Sequence, residues 1–280
     1  MSVDKLIIAV PARLDSLRLP GKVLLDIAGE PMLKRVLDRC KLVKEASAVV
    51  LCTDSNEIKD LADHWGVKVL MTSKNCTSGT HRISTVVNDL LSIAWGIEFK
   101  KSDRIDHHVL RKTVILNVQA DQPLISPALI SDIYKGFKNN NTKHDILTPI
   151  YIIRDKNIHD TNLIKVVVDS NGDALYFSRS AIPHIRGEHP SLWSTHSNYY
   201  GHIGIYGFRA NVLADWSKIP FSRLEELESL EQLRFLESGI GIKTLLANEE
   251  VSSIDTYDDL KEVISKMSNS NGSNIISNNC

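Results

Sequence analysis

The chain has no excess charge of either sign. Its 33 Lys and Arg face 34 Asp and Glu, a net charge of −1 with His neutral, so no global basic field argues for nucleic acid. The four cysteines, Cys40, Cys52, Cys76 and Cys280, lie far apart with no Cys-x-x-Cys pair. That spacing gives neither a zinc cluster nor a disulfide framework, and it suits a reducing compartment. No apolar run approaches the ~20 residues a membrane helix needs. The opening Met-Ser-Val-Asp-Lys leads into an apolar strand rather than a leader segment, so a cytoplasmic location without membrane association is expected. Neither a Gly-x-x-x-x-Gly-Lys-Ser/Thr loop nor a Gly-x-Gly-x-x-Gly fingerprint occurs, which removes the signatures of P-loop hydrolysis and NAD chemistry.

What remains is ordinary soluble composition, 42% hydrophobic and 24% charged over 280 residues, enough for one large α/β domain or two small ones. The informative stretch comes first. Leu6 to Val10 is an apolar run that fits a strand buried on both faces. Pro11 is expected to end it, because proline donates nothing to a ladder. A polar loop follows with Arg13, Arg18 and Lys22, and Gly21 for backbone freedom. Three cations at the carboxyl end of a first buried strand suggest an anion site, with a polyphosphate as the expected anion. Arg and Lys in loops are more often plain solvated surface; position and clustering set this loop apart.

Further along, spacing predicts a helix over 31–43, a strand over 48–52, a helix over 56–65 and a strand over 67–71. Thr77-Ser-Gly-Thr-His-Arg82 leads into a helix expected from about 82 to 94, and its Ser, Gly and Thr read either as a plain N-cap or as an anion site. Residues 97–112 read as a solvated loop, with His107 and His108 on its surface. Thr113 to Val118 is the strongest buried strand. Asp121, just after it, is where a Mg²⁺ ligand would sit, or else is a turn Asp before proline. A helix is expected near 127–138, strands at 145–153, 164–168 and 174–177, and a loop over 184–198. Tyr200 to Phe208 has strand period, placing His202, Gly204, Tyr206 and Phe208 on one face, as a pocket wall or a packed pair. Ser222 with Glu225 makes a capping box for a helix carrying Glu228, Glu231 and Gln232. A strand at 242–246 precedes Asp255 and a last helix. From about Ser268 the Ser/Asn-rich tail is expected to be disordered.

Strand–helix alternation through residue 138 indicates an α/β fold with a mainly parallel sheet. The motifs, taken in order, resemble the 3-deoxy-manno-octulosonate cytidylyltransferase (CMP-KDO synthetase) family: Pro11-Ala-Arg-Leu-Asp-Ser-Leu-Arg-Leu-Pro-Gly-Lys22, Ser78-Gly-Thr-His-Arg82, Asn117-Val-Gln-Ala-Asp-Gln-Pro123, Lys165-Val-Val, Ala174-Leu-Tyr-Phe-Ser-Arg179, His202-Ile-Gly-Ile-Tyr-Gly-Phe-Arg209, Leu230-Glu-Gln-Leu-Arg234 and Ile254-Asp-Thr256. The resemblance implies a Rossmann-like nucleotidyltransferase fold in a single catalytic domain over 1–266. A strand-rich subregion at about 140–215 would mediate a homodimer. It implies transfer of CMP from CTP to the anomeric hydroxyl of an eight-carbon 2-keto acid sugar, with pyrophosphate released, for lipopolysaccharide or cell-surface glycan synthesis. Pro11, Ala12, Arg13, Arg18, Lys22, Ser78, Gly79, Arg82 and Gln119 would bind nucleotide, with Arg13, Lys22 and Asp121 acting in catalysis. Asp121 and Asp255 would hold Mg²⁺. Gln119, Arg179, His202, Tyr206, Glu228 and Gln232 would bind the sugar. The chain departs from the family at Gln122 and His81, where an acidic residue is usual, so an 8-amino or other variant sugar is the alternative substrate.

Overall fold

The computed structural model describes residues 3–15, 19–139, 143–154, 158–248 and 250–276, with side chains through Met267. Arg18 and the final residues of the tail lie outside the described residues. The first strand, β1 (Lys5–Ala12), is buried from Leu6 onward. A short 3-10 turn at Lys22–Leu24 follows Gly21, whose φ of 65° is one that glycine adopts without a Cβ clash. The hairpin of β2 (Asp26–Ile27) and β3 (Glu30–Pro31) leads into α1 (Met32–Lys41), which buries Met32, Leu33, Val36, Leu37 and Cys40 on one stripe. Then come β4 (Ala48–Thr53), α2 (Asn56–His64, capped by Ser55) and β5 (Lys68–Met71). The first half closes with α3 (Gly79–Ser84), α4 (Val87–Trp95), α5 (His107–Lys112), β6 (Thr113–Asn117) and α6 (Pro127–Lys138).

The second half is richer in strands: β7 (Ile146–Ile153), β8 (Lys165–Val168), β9 (Ala174–Ser178), the short α7 (Trp193–His196), β10 (Tyr199–His202) and β11 (Tyr206–Arg209). Then follow α8 (Ala210–Ala214), α9 (Arg223–Glu228), α10 (Gln232–Glu237), β12 (Ile242–Leu246) and α11 (Tyr257–Ile276).

The main sheet runs β5-β4-β1-β6-β11-β7-β10-β8-β9, with β12 added beside β7. From β5 to β6 every pairing is parallel. Beyond β6 the sheet continues antiparallel, apart from β12, which lies parallel to β7. Leu6, Ile8 and Val10 pack on one face with α1 and α6 residues such as Leu33, Leu37, Ile130 and Ile133. Ile7 and Ala9 pack on the other with Ile83, Leu90, Leu91 and Leu233. Both faces being covered, β1 reads as a continuous apolar run rather than an alternation. Each such fully buried Leu or Ile contributes about 1.5–3 kcal/mol.

Several expectations are corrected. The strand does not stop at Pro11: β1 continues to Ala12 because its pairing with β6 ends at Ala9, leaving proline on an edge that asks for no donor. The helix expected at 82–94 is two helices. The Ser84 and Thr85 hydroxyls donate to the carbonyls of His81 and Arg82 and compete with the helical ladder. Residues 97–112 are not all loop, since Asp106 caps α5 by accepting from His108 N. The 184–198 loop contains α7. Tyr200 to Phe208 is two strands, parted at 203–205, where Ile205 N donates to Ile203 O. The helix after Ser222 breaks at Ser229, whose φ is 52°. In the tail, α11 carries helical backbone on to Ile276, past the Ser268 boundary at which disorder is expected.

Candidate active site

β1 and β6 lie side by side, and the chain connections leave them in opposite directions across the sheet. The carboxyl ends of such a strand pair form a crevice. Here it is a cleft of about 380 Å³, lined by Pro11, Ala12, Arg13, Asp15, Lys22, Val23, Cys76, Ser78, Gly79, Arg82, Gln119, Ala120, Asp121 and Asp255. Every described residue expected to contact nucleotide or metal is on that wall. A second cavity of about 240 Å³ includes Gln122, Tyr151, Asn162, Arg179, His202, Gly204 and Glu250. The two cavities share Gln119, Asp121 and Asp255.

At that junction Lys22 Nζ lies 2.7 Å from Asp121 Oδ2 and 2.9 Å from Asp255 Oδ1. The ammonium thus sits between two carboxylates from loops 134 residues apart (255 − 121). Ile254 N donates to Asp121 O at 3.0 Å, joining the two loops through the backbone as well. Burial opposes the charge on Lys22, but Asp121 and Asp255 outweigh it and hold its pKa above the ordinary value. Arg13 reaches no carboxylate among the described residues, so its charge remains for an anion in the cleft. Gly79 is there for closeness. A Cβ on it would lie 3.0 Å from the Pro11 ring and 3.4 Å from the Gln119 amide, so a side chain would crowd both against the cleft wall.

Arg82 lines the cleft, but its guanidinium is committed. Nη2 pairs with Asp54 Oδ2 at 2.8 Å and Nη1 donates to Thr72 Oγ1. It ties α3 to the ends of β4 and β5. Ser78 Oγ is the α3 cap, accepting from His81 N. His81 turns away from both cavities. Its Nδ1 accepts from Thr77 N at 3.2 Å, and its ring stacks on Trp216 at 6.2 Å. Burial, then Arg234 and Arg82, lower its pKa and keep that acceptor bare. Of the two departures from the family pattern, Gln122 alone stands on a cavity wall.

The sugar-side expectations divide. Arg179 and His202 line the second cavity. His202 Nε2 lies 2.9 Å from Thr148 Oγ1, and that hydroxyl donates to Ile205 O at 2.7 Å. A hydroxyl has one proton, so Thr148 accepts from His202 Nε2–H, and Nδ1 keeps its lone pair. Packing against Phe177 and Tyr206 at 5.0 and 5.3 Å buries the ring and pushes the His202 pKa down to about 3. His202 is therefore a neutral acceptor and a weak base.

Tyr206, Glu228 and Gln232 line neither cavity. Tyr206 is buried between His202 and Phe208. Glu228 faces Ser178 and Arg179, accepting from Ser178 Oγ at 2.7 Å and Arg179 N at 2.9 Å, so it supports Arg179. Gln232 is buried with Nε2 unpartnered. Its neighbour Glu231 accepts from Thr80 Oγ1 at 2.7 Å while its Oε2 stays unpartnered; burial raises its pKa. Asn117 donates to the same Thr80 hydroxyl and accepts from Gln119 Nε2, which links Glu231 to the cleft wall.

Sequence reasoning missed Tyr151, Asn162, Glu250, Thr148 and the roles of Glu231 and Lys165. Tyr151 and Glu250 are bonded at 3.1 Å across 99 positions, with no local signal. Lys165 did carry one: a lysine at the head of a Val-Val-Val strand needs partners if it is buried.

With this geometry in hand, known proteins are informative. A profile described as cytidylyltransferase matches residues 7–245. The chain belongs to the 3-deoxy-manno-octulosonate cytidylyltransferase family. A relative of that name from Thermodesulfovibrio yellowstonii is 38% identical over 255 residues, 91% of this chain and 95% of the relative. A relative from Shewanella pealeana, named 8-amino-3,8-dideoxy-manno-octulosonate cytidylyltransferase, is 36% identical over 255 residues, 90% of this chain and 94% of the relative. Among solved structures, a CMP:2-keto-3-deoxy-manno-octonic acid synthetase complexed with CTP superposes with a TM-score of 0.80 at 32% identity, covering 95% of this chain and 99% of that one. The fold class and the nucleotidyltransferase assignment expected from the motifs hold.

Proposed function

We propose that the chain transfers CMP from CTP to the anomeric hydroxyl of 3-deoxy-manno-octulosonate or a close analogue, releasing pyrophosphate. One observation carries this reading: two cavities meet over a pair of carboxylates that already grip a cation, Lys22. The nucleotide would lie in the first cavity, with Arg13 and Lys22 on its phosphates. Those cations neutralise charge that grows on the departing pyrophosphate. The sugar would lie in the second, its hydroxyl brought to the junction so that attack becomes effectively intramolecular.

Arg179 is suited to the sugar's carboxylate. A guanidinium carries five N–H donors. Nε donates to Glu228 O at 2.8 Å, Nη1 to Thr161 O at 3.0 Å and Nη2 to Ser229 O at 3.5 Å. One N–H on each Nη is left over from these bonds, two donors for a carboxylate. His202 Nδ1 would accept from a sugar hydroxyl.

Asp121 and Asp255 would hold Mg²⁺. Among the described residues no group of three or more His, Cys, Asp or Glu is arranged to hold a metal. A hard ion that takes one or two carboxylates and completes its shell with phosphate and water still fits this pair. The Lys22 ammonium between them marks the place as one that favours a cation. When bound, the ion would orient and neutralise the reacting phosphate.

The test is pyrophosphate release with each of the four nucleoside triphosphates and a panel of keto-acid sugars, with and without Mg²⁺. Release with CTP, a sugar of the 3-deoxy-manno-octulosonate type and Mg²⁺ together is expected. No release with CTP and any such sugar overturns the reading. The Shewanella relative's name and the neutral Gln122 make the 8-amino sugar the second substrate to try.

Homodimerisation through the 140–215 strands belongs to the same proposal. Among the described residues β9 ends the main sheet, with Leu175 61% exposed on it, and such an edge is one that a second chain would cover. Light scattering on the active protein should give twice the chain mass; a monomer argues against it. A cytoplasmic role supplying sugar for lipopolysaccharide is part of the proposal. No helix among the described residues is long and apolar enough to cross a membrane.

A further inference from the structure

Lys165 opens β8, and its side chain is completely buried. Its three ammonium donors all end on backbone carbonyls: Asp160 O at 2.8 Å, Leu163 O at 2.6 Å and Arg179 O. A lysine has three donors, so nothing is left over for substrate. The carbonyls come from two segments. One is the 160–164 approach to β8, whose Asn162, Leu163 and Ile164 line the sugar-side cavity. The other is Arg179, just past β9, which lines it as well. Glu228 grips Arg179 from the opposite side, accepting from its backbone N through the carboxylate and from its Nε through the carbonyl. Arg179 is thus held at its nitrogen, its carbonyl and its guanidinium by groups that do not themselves line the cavity.

We infer that Lys165 is a positioning residue for the sugar-side cavity, acting with Glu228 to fix Arg179 so that its remaining Nη donors face an incoming carboxylate. The inference rests on the reading of that cavity as the keto-acid site. A neutral or shorter side chain at 165 leaves the Arg179 and Leu163 carbonyls without donors and lets both cavity segments relax. The fork then loses the alignment that bidentate recognition requires. The nucleotide cleft, on the far side of the Asp121–Asp255 pair, takes no support from Lys165.

The test is a double-mutant cycle of Lys165→Met with Arg179→Ala, with KM for sugar and for CTP measured separately on each enzyme. Wild type is assayed first; if it turns over no keto-acid sugar with CTP, the functional reading fails before the cycle begins. Given turnover, Lys165→Met should raise the sugar KM about tenfold or more, as loss of a hydrogen bond to a charged group does. The CTP KM should stay within about twofold. In the Arg179→Ala background the same substitution should raise the sugar KM by a clearly smaller factor than in wild type, because the route through the Arg179 guanidinium is gone and only the 160–164 segment is left to relax. Full additivity of the two changes, an equal rise in both KM values, or an unmoved sugar KM overturns the inference. If Lys165→Met shows no cooperative melt, Glu228→Gln takes its place, since it weakens the other half of the grip. The same split is expected, and an unmoved sugar KM in that variant overturns the inference.

Discussion

The two cavities share one wall and are built in different ways. The nucleotide cleft is made from short runs at strand ends: Pro11 to Arg13 at the end of β1, Ser78 and Gly79 at the start of α3, and Gln119 to Asp121 after β6. The sugar-side cavity also takes short runs, Asn162 to Ile164 and His202 to Gly204, but its two basic side chains, Arg179 and His202, are aimed by partners elsewhere in the chain. Thr148 sets the tautomer of His202 from 54 positions away, and Glu228 holds Arg179 from 49. Contiguous loops at a sheet edge tolerate a changed residue locally. Side chains aimed by distant clamps pass a change on to the substrate geometry. Substitutions on the two sides should therefore part the two KM values.

The largest effect is expected at the shared wall, where the comparison has no sides. Asp121→Ala or Asp255→Ala should lower CMP transfer by roughly 10³-fold or more, with the far-ultraviolet circular dichroism unchanged. Each also leaves Lys22 with one carboxylate instead of two. Near-normal turnover in either variant would take that carboxylate out of the reaction. Next comes the nucleotide side. Lys22→Ala should reduce kcat/KM for CTP by about 10–100-fold while the sugar KM moves little. A rise in sugar KM as large as that for CTP would erase the division between the cavities.

These two predictions concern residues that were legible in the sequence. Lys22 and Asp121 could be placed because parallel strands put their carboxyl ends on one edge, and an apolar run betrays each strand; Asp255 comes from the family resemblance. The same periodicity gave α1 and α6. The irregular places were hidden because each depends on one local competitor. Ser84 and Thr85 hydroxyls split a helix, Ser229 in the left-handed region ends another, and the 203–205 kink parts two strands that share one strand pattern. On the sugar side, Glu228 is expected as a ligand from the family resemblance alone. The helix ends at Glu228, and the Glu228 carboxylate turns to Arg179. No periodicity reports such a contact, since it joins residues from different elements.

A smaller effect should follow Thr148→Val, which nearly keeps the shape of a buried side chain and removes its hydroxyl. His202 Nε2–H then loses its acceptor, and the ring is free to take the other tautomer. Loss of about 1 kcal/mol in one hydrogen bond corresponds to a roughly fivefold rise in sugar KM. The CTP KM should not follow. An unchanged sugar KM would mean that the ring is oriented by Phe177 and Tyr206 alone.

The last effect, absent at neutral pH, is on stability, and it sharpens the same point from the side of pH. His202 is held near a pKa of about 3 by burial, against about 6.5 in an unfolded chain. As pH falls below 6.5 the unfolded state takes up a proton that the folded ring refuses. The contribution of a neutral His202 is therefore full above pH 6.5 and is lost progressively as the pH approaches 3. The steepest loss is about 1.4 kcal/mol per pH unit. The cavity side of the ring admits some water, so the observed slope should be lower. Glu231 works in the opposite sense, because burial raises its pKa and favours its protonated form in the fold. Comparing wild type with His202→Asn cancels that and every other uncoupled group. The stability difference between the two should be flat from pH 8 to 6.5 and should shift against wild type below it, measured by denaturant melts at each pH. A difference constant down to pH 4.5 would show that His202 titrates normally. It would then be available as a proton acceptor in the reaction, and the weak-base assignment on the sugar side would have to be given up.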